Sequence, residues 1–217
     1  MEPINSKIIP NPIKNLIFAF STLQGIGPKT AQRLTYFVTQ KPIEEIGILS
    51  QALISVKENI TLCGNCFFIM ESKPEKEGSY CLICEGDRNK NQICVVESPL
   101  DVIAIENSSI YHGLYHILHG AISPMNGLGP NNLKIDSLMN RINNNIEEVI
   151  LATNPTMEGE ATAMYIQNLF SKLQTKTIIT RLARGLPTGA DLEYSDFSTL
   201  SHAFENRSVF NRAKKDI

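Results

Sequence analysis

Two pairs of cysteines are the residues whose type and spacing most clearly indicate chemistry. Cys63 and Cys66 form one C-x-x-C pair, and Cys81 and Cys84 form another after 14 intervening residues. Each pair can present both sulfurs to one ion from a tight turn, and two turns complete a tetrahedral shell with no open position for catalytic water. The spacing therefore predicts one structural zinc ion per chain. Rubredoxin-like iron, an iron–sulfur cluster and a redox dithiol are the alternatives.

The remaining cysteine and the histidines suit packing better than metal ligation. Cys94 lies inside an apolar run, which predicts a small core residue. On a strand, His112 and His116 share one face and His119 points away, so packing or surface positions are expected. The N-terminus lacks an apolar signal segment, which predicts a cytoplasmic protein whose thiols stay reduced.

A glycine turn between two amphipathic helices is the second feature with chemical meaning. Gly25 and Gly27 allow positive φ and close approach of another backbone, and N–H groups at the next helix N-terminus can bind an anion. Lys29 and Arg33 lie on one helix face and can flank the same phosphates. Residues 23–34, LQGIGPKTAQRL, resemble the helix-hairpin-helix motif of DNA-binding proteins. Sequence-independent, salt-sensitive DNA binding is predicted, and a plain helical hairpin is the alternative.

These sites depend on helices and strands that periodicity places along the chain. Residues 11–62 are predicted to form three helices, the first begun by Asn11 and Pro12. The second helix is expected to bury an apolar stripe made of Ala31, Leu34, Phe37 and Val38. Residues 63–90 show little periodicity and cannot bury a core of their own.

Strands and helices alternate from residue 91. One helix is predicted to start near residue 98, and another is predicted to cover about residues 158–173. Apolar strands are predicted at 93–96, 113–118, 147–153 and 177–180. Such strands, separated by helices, imply a parallel sheet covered on both faces. The predicted fold is multidomain α+β: a helical domain at 1–62, a cysteine module at 63–90, an α/β domain at 91–180 and a C-terminal segment at 181–217.

The overall composition excludes several classes of protein. Hydrophobic residues make up 42% and charged residues 19%, as in globular rather than disordered proteins. The sequence has no run of about 20 apolar residues, which is the length that a membrane-spanning helix needs. No membrane partner is therefore expected. The net charge is -2 overall, +2 over residues 1–62 and -4 over the rest, which gives weak support for nucleic acid at the N-terminal part.

The α/β unit resembles the Toprim domain of topoisomerases, primases and related nucleases. In that family a glutamate ends the first strand, and a D-x-D motif after a later strand completes a Mg²⁺ site. Glu97 stands at the first position, and in LATNPTMEGEA (151–161) Asn154 and Thr156 replace the two aspartates. The lost charge argues against two-metal catalysis. Glu97, Asn154 and Glu158 are left as candidates for a partner contact or weak metal contact.

A helix-hairpin-helix, a four-cysteine module and a degenerate Toprim domain, in that order, resemble the RecR family of bacterial recombination mediators. The likeness covers nearly the whole chain, with closest agreement at 95–106, 111–130, 147–165 and 180–194. It implies a nucleoid-associated protein without catalytic activity that forms dimers and ring-like tetramers around DNA. It also implies partners, RecO and in many bacteria RecF, with which RecA is loaded onto single strands coated by single-strand-binding protein.

The resemblance also gives the C-terminal segment a role. That segment looks like the family's Walker-B-like region, which packs across subunits, and its charged residues are Arg181, Arg184, Asp191 and Glu193. A subunit contact without nucleotide is the favoured interpretation. Two rival functions stay open: a Mg²⁺-dependent Toprim nuclease or topoisomerase-like enzyme, and a protein adaptor whose hairpin has lost DNA contact.

Overall fold

The chain folds into two compact units that divide after Ile60. The computed structural model describes residues 8–72, 79–142, 145–173 and 175–208. Its helices and strands are α1 (Asn11–Ser21), α2 (Pro28–Thr39), α3 (Ile43–Asn59), β1 (Ile60–Leu62), β2 (Ile69–Glu71), α4 (Leu82–Glu85), β3 (Asn89–Val96), α5 (Pro99–Ser108), β4 (Gly113–Ile117), α6 (Ile135–Arg141), β5 (Glu148–Leu151), α7 (Met157–Phe170), β6 (Ile178–Arg181) and α8 (Phe197–Glu205). No helix in these ranges combines the length and apolarity needed to cross a bilayer.

Helices α1 and α2 pack against each other and bury Ile17 and Ala31. The expectation that Asn11 caps α1 is wrong: Pro10 precedes the helix, and no side chain caps its first turn. The buried stripe of α2 also differs from the prediction, because Phe37 is 56% exposed and Thr35 is buried in its place. Ala31 and Thr35 are four residues apart and share one helix face, whereas Phe37 is turned about 200° from Thr35.

Helix α3 buries none of its side chains within the described residues. Glu44 and Glu45 lie in its first turn and Lys57 in its last, which suits the helix dipole. Several of its large apolar side chains are exposed, namely Ile43, Ile48, Leu49, Leu53, Ile54 and Val56. Within the described residues, the helix therefore presents exposed apolar surface.

The second unit is built on a parallel sheet with strand order β4-β3-β5-β6. The predicted parallel sheet is confirmed; β3 begins four residues before its predicted start, and the other strand ends lie within two residues of the prediction. Ile93 and Val95 of β3 face a core shared with α6 and α7. Cys94 and Val96 face the opposite core, which includes Val102 of α5. Cys94 is 3% exposed, so its prediction as a core residue is confirmed.

The cysteine module covers part of the second face of this sheet. The small two-stranded sheet of β1 and β2 flanks the turn that carries the module's first cysteine pair. Its side chains Phe67, Phe68 and Ile83 pack against the core around Tyr115 and Ile117 of β4. The module therefore buries apolar side chains against the Toprim-like sheet as well as around its own cysteine cluster.

Candidate functional site

The four paired cysteines come together in one buried cluster. Cys63 and Cys66 lie on the turn after β1. Cys81 immediately precedes α4, and Cys84 lies within it. All four sulfurs lie within 4.8 Å of one another, with Cys63 Sγ 3.9 Å from Cys84 Sγ and Cys66 Sγ 3.5 Å from Cys81 Sγ. A tetrahedral zinc–thiolate site with bonds of about 2.3 Å has sulfur–sulfur edges of about 3.8 Å. The cluster therefore fits a metal ion such as zinc.

N–H groups point at the cysteine sulfurs as a thiolate site requires. The Cys81 backbone N–H donates to Cys63 Sγ at 3.3 Å, and the Phe68 N–H donates to Cys66 Sγ at 3.5 Å. The Asn65 side-chain amide donates to Cys84 Sγ at 3.5 Å. Such donors stabilise negative charge on sulfur.

The thiols cannot ionise independently of one another. Hydrogen bonds from the Cys66 and Cys84 thiols lower the pKa of Cys81 to about 2. The hydrogen bonds with Cys81 and Cys84, together with burial, raise the pKa of Cys66 far above its ordinary value. A bound cation removes this conflict, because it stabilises all four thiolates together.

No histidine belongs to the cysteine cluster within the described residues. His116 is buried, its Nε2–H donates to Lys134 O at 2.7 Å, and Arg141 Nη1 donates to its Nδ1 at 3.0 Å. Burial and the charge of Arg141 lower the pKa of His116 to about 3. His112 precedes β4, so the expectation that it shares a strand face with His116 is wrong.

The glycine turn joins α1 to α2 and lies open to solvent. Gly25 has φ +80°, and the Ile26 N–H donates to Leu23 O at 3.1 Å. Gly27 precedes α2, where no side chain caps the first turn. A Cβ at either glycine would meet no atom within 4 Å, and φ at Gly27 is an ordinary -78°. No packing contact in the described chain therefore requires glycine at position 27.

Two exposed cations follow the turn on α2. Lys29 lies in the first turn of the helix and Arg33 one turn later. The i,i+4 spacing places them on one side of the helix, as the sequence predicts. Within the described residues, no carboxylate forms an ion pair with either side chain.

The Toprim-like acidic cluster is held by an amide. Glu97 Oε1 accepts the Asn154 backbone N–H and Glu97 Oε2 accepts the Asn154 side-chain amide, both at 2.8 Å. Thr156 caps α7, since its hydroxyl accepts the Gly159 N–H at 3.1 Å. Glu158 is exposed in the first turn of the same helix. Asn154 and Thr156, which replace the aspartates, thus have structural partners.

Gly159 is a residue of this cluster that the sequence reasoning missed. A Cβ at Gly159 would collide with Asn154 O and lie 2.7 Å from Glu97 Oε1. The loop after β5 can therefore approach α7 only because no side chain stands there. A glycine inside a predicted helix was the available signal.

The arginines of the C-terminal segment form ion pairs within the chain. Arg181 Nη2 lies 2.5 Å from Glu160 Oε1, and Arg184 also pairs with Glu160. Asp191 and Glu193 are exposed at a 3₁₀ turn that follows. The sequence reasoning did not identify Glu160 as a partner of the two arginines.

Comparisons with known proteins agree with this architecture. Family models match for the RecR helix-hairpin-helix at residues 13–57, the Toprim domain at 91–183 and the RecR C-terminal region at 185–208. The recombination protein RecR of Roseiflexus castenholzii is 45% identical over 208 residues, which are 95% of this chain and 98% of the relative. That of Dehalococcoides mccartyi is 48% identical over 200 residues, 91% and 94% of the two chains. By domain order and by identity over nearly its full length, this chain belongs to the RecR family of DNA recombination and repair proteins.

Proposed function

We propose that this protein is a DNA-binding mediator of recombinational repair that neither cleaves nor joins DNA. The observation that carries the proposal is an open glycine turn followed by two exposed cations, which suits phosphate binding. The Toprim-like cluster of the same chain lacks the paired carboxylates that phosphoryl chemistry needs, because an amide is bound to Glu97.

DNA binding is assigned to Gly25, Gly27, Lys29 and Arg33. The uncapped first turn of α2 leaves backbone N–H groups available to a phosphate, and its dipole favours an anion there. The glycines keep the approach free of side chains. These groups contact the phosphate backbone and not the bases, so both single- and double-stranded DNA are expected ligands.

The acidic cluster is assigned a role without catalysis. Two-metal chemistry needs carboxylate oxygens facing the ions. Both oxygens of Glu97 accept hydrogen bonds from Asn154, and an amide replaces one carboxylate of the family's D-x-D motif. Glu158 remains exposed and is a candidate for contact with a partner protein.

Zinc is assigned to Cys63, Cys66, Cys81 and Cys84 as a structural ion. Four sulfur ligands complete its shell, so the ion supplies folding energy and has no position for a substrate. Because the module packs against apolar side chains of β4, the bound ion is expected to stabilise the sheet as well.

Assembly into dimers or ring-like tetramers completes the proposal. The exposed apolar side chains of α3 and the exposed Phe197 and Phe204 of α8 support contacts between subunits. RecO, and RecF where present, are the proposed partners in loading RecA onto single strands coated by single-strand-binding protein. The C-terminal residues Arg181, Arg184, Asp191 and Glu193 are proposed to lie near a subunit contact.

Titration of labelled DNA with the Lys29→Ala/Arg33→Ala double variant tests the proposal. We expect most DNA affinity to be lost, with the slope of log affinity against log salt reduced by about 1.8 for two lost phosphate contacts on duplex DNA. The fold should persist because both side chains are exposed. Lys57→Ala, an exposed lysine on α3, is the matched control. Equal affinity of the double variant and wild type would favour the adaptor, and Mg²⁺-dependent cleavage by pure protein would favour the enzyme.

A further inference from the structure

The turn that carries Cys63 and Cys66 is held against the end of β4 by two hydrogen bonds. The Ile117 N–H donates to Cys66 O at 3.0 Å, and His119 Nε2–H donates to Phe67 O at 2.8 Å. Phe67 has φ +63°, in the left-handed region that bulky residues rarely adopt. This conformation of the metal-binding turn therefore depends on support from outside the turn.

The side chain of Phe67 is also fixed by the Toprim-like domain. The His116 ring meets the Phe67 ring edge-on with centroids 5.4 Å apart, and the Lys134 ammonium lies 5.3 Å from the Phe67 centroid. His116 is itself locked, because Lys134 O accepts from its Nε2 and Arg141 donates to its Nδ1. Both ring nitrogens of His116 are thus occupied.

Arg141 fixes both His116 and the strand that carries it. Its Nη1 donates to Tyr115 O at 2.8 Å and to His116 Nδ1 at 3.0 Å. The guanidinium therefore orients the ring that packs edge-on against Phe67.

We propose that His119, His116 and Arg141 are positioning residues that hold the turn over residues 63–66 in its metal-binding conformation. Groups outside a ligand shell commonly set metal affinity by orienting the ligands. Here the support of His119 comes from 52 positions further along the chain, so metal retention is coupled to the packing of β4. The inference rests on the metal site proposed above.

The test compares zinc release from the zinc-loaded full-length chain and its variants. His119→Asn suits the φ of +61° at this position but is too short to reach Phe67 O. His119→Gln keeps a longer N–H donor, and His112→Ala is a control at an exposed histidine of the same segment. With a chromogenic chelator, we expect zinc loss about 10- to 100-fold faster for His119→Asn. The Gln variant should be intermediate, and the His112 variant should match wild type.

Thermal midpoints with and without zinc separate positioning from simple packing. Positioning predicts that His119→Asn lowers the midpoint of loaded protein more than that of metal-free protein. Arg141→Gln provides a second test: it removes the donor to His116 Nδ1, and we expect faster zinc release there as well. Wild-type zinc release in both variants, with equal midpoint losses in both forms, would overturn the inference. A wild-type chain that binds no zinc would instead refute the metal assignment itself.

Discussion

Gly25 and Gly27 occupy the same turn for different physical reasons. Gly25 adopts φ +80°, which a side chain resists by about 1–2 kcal/mol, whereas Gly27 has an ordinary φ and open space around its missing Cβ. Gly25→Ala should therefore lower stability. Gly27→Ala should lower the thermal midpoint only slightly, because alanine is a poorer N-cap than glycine, and should weaken DNA binding because its methyl group enters the proposed phosphate path. Calorimetry and DNA titration of both variants measure this, and undiminished DNA affinity of Gly27→Ala would contradict it.

Gly159 illustrates a residue whose absent side chain shapes the acidic cluster. Gly159→Ala forces Asn154 O and Glu97 away from α7, and we expect a loss of about 1–3 kcal/mol in the free energy of unfolding. Gly185→Ala is the matched control, because a Cβ there meets nothing within 4 Å. Denaturant unfolding of the two variants gives the comparison. Equal stabilities would show that the loop after β5 yields without cost.

Strand β4 carries a buried histidine that links stability to pH. The pKa of His116 is about 3 in the folded chain because of burial and Arg141, well below its ordinary 6.5. Below pH 6.5 the unfolded chain binds a proton that the folded chain excludes, so stability falls as pH decreases from 6.5 towards 3. At pH 5.5 the loss amounts to about 1.4 kcal/mol.

The variant His116→Gln should remove this pH dependence. We expect it to be less stable than wild type at pH 7.5 but to lose less stability between pH 7.5 and 5.5. Denaturant midpoints of both proteins over that interval measure the difference. Parallel pH profiles would show that His116 does not control this loss.

Sequence periodicity predicted the four strands of the parallel sheet and helices α5 and α7, because apolar runs mark the strands that cross the core. Helices α6 and α8 were not predicted. The cysteine cluster could also be predicted from the sequence, since each C-x-x-C pair supplies two of the four ligands within four residues. The packing of the cysteine module on β4 could not be predicted, because the contact between His119 and Phe67 joins residues 52 positions apart. The bond between Asn154 and Glu97, 57 positions apart, has the same character. The exposure of Phe37 was not predicted because it lies three residues from Leu34, although the centre of the buried face runs through Ala31 and Thr35.

For the molecule as a whole, metal loss should affect one unit and spare the other. The cysteine module packs on the Toprim-like sheet, whereas α1 and α2 pack on each other through Ile17 and Ala31. We expect Cys63→Ser to lower bound zinc below one ion per chain and to reduce solubility. Hydrogen exchange should speed up in β4 and stay slow in α1 and α2. Zinc near one ion per chain in this variant, or faster exchange in α1 instead, would contradict the expectation.

The assignment of the molecule as a scaffold and not an enzyme depends on the hydrogen bonds between Asn154 and Glu97, and a substitution of Asn154 tests it. In Asn154→Asp, a carboxylate replaces the amide that donates to Glu97 at 2.8 Å, so two negative charges meet. We expect a lower thermal midpoint without Mg²⁺ and partial recovery when Mg²⁺ is added, because the ion screens and bridges both groups. Asn154→Ala is the control: it loses the same side-chain hydrogen bond without adding charge, so Mg²⁺ should leave its midpoint unchanged. A Mg²⁺-dependent midpoint in wild type would show that Glu97 already holds the ion, and the scaffold assignment would then lose its main support.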